Sequence, residues 1–210
     1  MLSLILLALA CTPAESTAPA GDQAPSAEAG KEAEPKAAPQ QPLTVRGGQL
    51  QLVQIKNGSA EVGATVDAPT GQIAFSGKPS ELSIPVSTWN SGMELRDQRL
   101  HDTFFHAGEH PNATWTVTFP EMPALEQGAS TTLPLSGEVA FYTGKAPVSF
   151  EATLTRTGET TYTLASKAPF EVSIAAAGLG ENLQALITEC AHESIGDAVK
   201  VSGSLELIAE

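Results

Sequence analysis

From Leu43 onward the chain alternates, and strict alternation constrains it more than any other feature. "EVGATVD" sets Val62, Ala64 and Val66 on one face, and "ELSIPVS" does the same with Leu82, Ile84 and Val86. "TWTVTF" separates Trp115, Val117 and Phe119 by threonines. "TLPLSGEVAFY" carries Leu133, Leu135, Val139 and Phe141 on one face. "VSFEATLT" adds Val148, Phe150, Ala152 and Leu154, "FEVSI" adds Phe170, Val172 and Ile174, and "VKVSGSLEL" adds Val199, Val201, Leu205 and Leu207. Period two over such lengths argues strands with one buried face. With "LQLVQI" near residue 50 and "GQIAF" through Phe75, about nine strands are expected. Turn signals separate them at Asn57-Gly58, Pro69-Thr70-Gly71, Thr143-Gly144-Lys145 and Thr157-Gly158-Glu159. Many short, mostly antiparallel strands leave a sandwich or a closed barrel. Pro85 and Pro134, inside strand-like runs, point to edges or bulges.

Two stretches break the period. "GMELRDQRLHDTFF" spaces Met93, Leu100 and Phe104 by seven and four, a short helical face. "ENLQALITECAH" puts Leu183, Leu186, Ile187 and Cys190 on one helical face, between Gly180 and Gly196. A buried free cysteine is a small hydrophobe more often than a nucleophile, so Cys190 is expected buried and unpaired.

Residues 1–42 belong to a different composition. The apolar run "MLSLILLALA" is too short to span a bilayer and reads as the hydrophobic core of a secretory signal. Ala10-Cys11 resembles a bacterial lipoprotein cleavage box, which implies a lipid on Cys11. Thr12 after the cysteine implies, by the same resemblance, outer-membrane rather than inner-membrane retention. Residues 12–42 hold no aromatic and no large aliphatic residue, so they cannot offset the entropy of ordering. They read as a tether with ends on the order of 30 Å apart. The expected organisation is therefore a leader and lipidation site at 1–11, a tether at 12–42 and a folded domain at 43–210.

The net charge of −13, with eleven Lys and Arg scattered along the chain, argues against nucleic acid as a partner. Three of the four histidines, His101, His106 and His110, fall within one short segment. On a helix, His101 and His106 diverge by about 140°, and Gly108 and Pro111 disfavour a helix that would align His106 with His110. Cys190 and His192 also diverge on a helix. No paired CxxC, HExxH or nucleophile elbow is present. The expectation is loop and rim histidines, with no metal, no cofactor and no catalytic group.

The stretch "STWNSGMELRDQRLHDTFFHAGEHPNATW" resembles the signature region of the YceI-like family of polyisoprenoid-binding proteins. Arg96, Asp97, Leu100, Phe104, Phe105 and Pro111 match that pattern in order, and "LSGEVAFYTGKAPVSFEATL" resembles the family's paired strands. The resemblance covers roughly residues 45–208. It implies an all-β fold: an antiparallel, eight-stranded, lipocalin-like barrel with one or two short helices. Family members usually have a strand at 181–192, where the residues here read as a helix.

The resemblance further implies non-catalytic binding or transport of a hydrophobic lipid such as a polyprenol or quinone, in a periplasm-facing envelope lipoprotein held to the membrane by its anchor. The expected cavity and mouth residues are Phe75, Ile84, Val86, Trp89, Leu100, Phe104, Phe105, Trp115, Val117, Phe119, Phe141, Phe150 and Phe170. Arg96, Asp97 and Pro111 are expected to be structural. In this picture a helix caps the barrel mouth, one of Phe104 and Phe105 faces inward while the other seals the rim, and Arg99, Asp102, His106 and Glu109 face water. An interior of Ile, Val, Leu, Phe and Trp suits a lipid or a simply filled core, and alternation does not separate the two. Two other readings stay open: an envelope stress or metal/thiol protein using Cys190 and His192, and a filled structural barrel whose surface binds a protein partner.

Overall fold

A computed structural model describes residues 41–210. The expectations for the leader, for Cys11 and for the tether up to residue 40 lie outside the described residues. The strands are β1 (Leu43–Lys56), β2 (Ala60–Asp67), β3 (Thr70–Ile73), β4 (Pro79–Ile84), β5 (Ala113–Thr118), β6 (Ser130–Ala140), β7 (Lys145–Arg156), β8 (Thr161–Ser166), β9 (Phe170–Ser173) and β10 (Ile195–Ala209). Helix α1 (Glu94–Arg99) lies between β4 and β5, and α2 (Gly180–Glu189) between β9 and β10.

All pairings are antiparallel, and the sheet closes because β1 pairs with β10 from Leu43↔Ala209 to Lys56↔Ile195. Eight walls result, since two pairs of strands are single walls interrupted once. β2 and β3 pair with the same edge of β1 in one unbroken register, Gln49↔Asp67 and Thr44↔Gln72. The break falls at Ala68-Pro69, where proline cannot donate to a ladder. β8 and β9 likewise share β10, through Ser204↔Ala165 and Val201↔Phe170. The fold is thus the closed antiparallel eight-stranded barrel with two short helices that the family resemblance implies.

One detail differs from expectation. β8 was absent from the alternation reading, although Tyr162 and Leu164 face inward between polar neighbours. Pro134 does sit at a local edge: it pairs with Glu151 of β7, while on its other side the β5 partners stop at Thr118↔Ser136. Residues 180–189 form the helix expected from their own spacing.

Local chemistry accounts for the closures. Asn57 (φ 50°) and Gly58 (φ 78°) turn β1 into β2, a left-handed pair that suits hairpins. At Gly137 the strands cross so closely that a Cβ would sit 2.0 Å from the Thr116 carbonyl oxygen, so only glycine fits.

The two ends of the barrel differ. At the end where Leu43 meets Ala209 the interior is solid: Leu43, Ile73, Leu82, Phe119, Leu135, Leu154 and Leu207 are fully buried. Phe75 packs on Phe119 at 5.2 Å. Arg156 plugs this end, donating to the carbonyls of Leu125 (2.9 Å), Gly158 (3.1 Å) and Glu159 (2.8 Å). The other end, where Lys56 meets Ile195, is open under the two helices.

Candidate functional site

The mouth is covered by α1 and by the wide turn that follows it. Phe105 N–H bonds to Leu100 O at 2.8 Å, a π-type closure over Leu100–Phe104. His106, at φ 49°, ends the segment. The extra residue in this turn changes the helical phase. Met93, the extended N-cap residue of α1, is 51% exposed, not on the apolar face expected for it. Phe104 and Phe105 are both buried rather than divided between interior and rim, and pack edge-to-face at 4.8 Å.

Phe105 also touches Trp89 (5.2 Å) and stacks on Phe141 (6.0 Å), which ties the cap to the barrel wall. Asp97 fixes the start of α1, its Oδ1 accepting the Ser91 N–H at 2.8 Å. Arg96 makes no such anchor. Its guanidinium donates to Met93 Sδ at 3.7 Å, and the residue lines the mouth. Pro111 accepts the Ser87 N–H at 3.4 Å, joining the two strands that flank the cap.

α2 lies beside this cap, burying Leu183 and Leu186. Asn182 Nδ2 donates to the Phe104 carbonyl (2.8 Å) and to the Tyr142 hydroxyl (2.6 Å). Arg99 does not simply face water. It pairs with Glu189 at 3.2 Å and donates to Cys190 Sγ at 3.4 Å, while Thr103 donates to Glu189 at 2.7 Å. Cys190 is unpaired but only half-buried, short of the full burial expected.

The histidines of the cap segment do not converge. His110 stacks on Tyr142 at 4.2 Å and His106 meets the same ring edge-on at 5.8 Å. Among the described residues no three His, Cys, Asp or Glu side chains are grouped to hold a metal.

Beneath the cap lies a cavity of about 210 Å³. Its deep wall is apolar: Leu50 and Leu52 of β1, Leu164 of β8, and Val199, Val201 and Leu205 of β10. Trp115, Phe150 and Phe170 continue that wall, the last two stacked at 4.1 Å. Ten of the expected residues line the cavity: Ile84, Val86, Trp89, Leu100, Phe104, Phe105, Trp115, Phe141, Phe150 and Phe170. Phe75, Val117 and Phe119 do not. They belong to the packed core at the closed end. Alternation sorts residues by face, and these three have the right face at the wrong depth.

The sequence reading missed the polar rim. Gln54 and Lys56 of β1, Ser91 and Arg96 all line the mouth, as does His192, together with Cys190. The signal existed: the inward parity of Leu50 and Leu52 continues to Gln54 and Lys56. The His192 imidazole is pushed below its usual range by burial first, then by the charges of Lys56, Arg96 and Arg99.

A polyisoprenoid-binding domain from Saccharophagus degradans, implicated in plant cell wall breakdown, superposes with a TM-score of 0.71 at 19% identity, covering 80% of this chain and 98% of that one. BcnA of Burkholderia cenocepacia superposes with a TM-score of 0.55 at 16% identity, covering 76% of this chain and 95% of that one. At such identities the likeness speaks for the fold alone. No curated protein matches the chain. The model of the YceI-like domain, however, matches residues 44–207, the whole barrel from β1 to β10. The chain belongs to the YceI-like family.

Proposed function

We propose that this domain binds a hydrophobic lipid of isoprenoid type, a polyprenol or a quinone, and carries it in the cell envelope without performing chemistry on it. The observation that carries this reading is the apolar cavity of about 210 Å³ that the side chains leave beneath the cap. A barrel kept only as a structural support gains by closing that space with larger side chains. The solved polyisoprenoid-binding domain with the same fold supports the lipid class. Cys11, with the apolar run before it, supports a lipid anchor and an envelope location.

Organic extraction of the purified protein, followed by mass spectrometry, tests the reading. The expected result is a co-purifying isoprenoid-type lipid near one per chain. A clean extract from protein that also fails to take up added geraniol sinks it.

A further inference from the structure

The rim of the cavity differs in kind from its wall. Among the described residues no Asp or Glu lines the cavity, although the chain has 24 of them against 11 Lys and Arg. The charged groups that do line it are basic: Lys56 from β1, Arg96 from α1 and the titratable His192 from the segment after α2. All three are half-buried. Among the described residues neither Lys56 nor Arg96 is ion-paired to a carboxylate, while Arg46, Arg99, Lys145 and Lys167 all are. Two carboxylates near the mouth are engaged elsewhere, Asp97 of α1 by the Ser91 N–H and Glu189 of α2 by Arg99 and Thr103.

A second observation points the same way. Three cavity-lining residues keep a buried polar atom without a partner: Ser91 Oγ, Trp89 Nε1 and Trp115 Nε1. Trp115 is only 6% exposed. A buried donor left unmade costs about 1–3 kcal/mol, so such atoms mark places where an acceptor is wanted. Unpaired cations and orphan donors around an apolar chamber describe one kind of guest: an apolar tail ending in an acidic oxyanion. The low dielectric of the chamber walls concentrates the field of the rim cations on such a head group.

Resting on the lipid-binding reading, we infer that the rim formed by Lys56, Arg96, His192 and Ser91 is a head-group subsite, and that the ligand is a lipid ending in a phosphate or carboxylate. Arg96 offers the forked donor geometry that suits such oxygens, and Lys56 a point charge. The depression of the His192 imidazole reflects in part the same positive surroundings, which an arriving anion relieves.

The test compares two ligands with the same tail, geranyl phosphate and geraniol, by calorimetry on the intact protein. The phosphate is expected to bind at least about tenfold more tightly, with a gap that shrinks as salt is raised. Lys56→Gln combined with Arg96→Gln is expected to bring the gap below about threefold. The charge-conserving pair Lys56→Arg with Arg96→Lys is expected to keep most of it, which separates lost charge from lost folding. Equal affinities for the two ligands overturn the head-group subsite and leave the lipid reading standing. Binding of neither overturns both. Inorganic phosphate binding as tightly as geranyl phosphate makes the rim a free-anion site and overturns the assignment to a lipid.

Discussion

Phe105 holds more of the mouth together than any other single side chain. It is 4% exposed and meets Trp89, Phe104 and Phe141, one ring from each of the three chain segments that converge there. Truncating a buried Phe costs about 3–5 kcal/mol, because lost transfer energy adds to the cavity left behind. Phe105→Ala is therefore expected to lower the melting temperature strongly and to weaken lipid retention as well. Phe104→Ala, whose carbonyl still accepts from Asn182, is expected to have the smaller effect on melting. Melting and binding measured on both variants decide this. A Phe105→Ala protein with unchanged melting makes that ring peripheral. Both aromatics were legible in the sequence, as an adjacent pair between a short helix and a strand. Their shared burial was not, because it depends on a π-type turn that no residue pattern announces.

At the scale of elements, the cap and α2 share the apolar cluster that holds Phe104, Leu183 and Leu186, and polar contacts add to it. Asn182 is the clearest, bonding Phe104 O and Tyr142 Oη at once. It thereby connects α2 to the cap and to Tyr142 in the β6–β7 turn. Asn182→Ala removes a donor and leaves the Phe104 carbonyl without it, a loss of about 1–2 kcal/mol. The cost falls on the contact that keeps the cap shut, so ligand release is expected to quicken about tenfold with a modest drop in melting temperature. Stopped-flow displacement, followed through Trp89 fluorescence, measures the release. An unchanged rate shows that the cap opens elsewhere. The sequence made α2 legible through the spacing of Leu183, Leu186 and Ile187. It hid β8, where Tyr162 and Leu164 are separated by polar residues in a Thr-rich run too short to stand out.

At the scale of the whole molecule, alternation told strand from helix and one face from the other. It could not give depth along the barrel axis, and depth is what divides Phe75, Val117 and Phe119 in the solid end from Trp115, Phe150 and Phe170 in the chamber. That division sets a length scale for the guest. A cavity of about 150 Å³ holds a molecule of roughly six carbons. By that measure about 210 Å³ holds roughly eight or nine carbons, close to two isoprene units. Each of the first two units buries methylene and methyl groups worth about 0.8 kcal/mol apiece at full burial, so each is expected to raise affinity on the order of tenfold or more. A third unit finds the solid end closed by Leu43, Phe119 and Arg156 and must extend toward the mouth, where it parts the cap from the rim. The gain per unit is then expected to fall below about threefold, while amide hydrogen exchange across residues 94–105 speeds up. A binding series from prenol through geraniol to geranylgeraniol, paired with exchange on each complex, measures both. Equal gains at every length with an undisturbed cap would mean that the barrel wall itself widens to take the tail, and the two-unit chamber would be wrong.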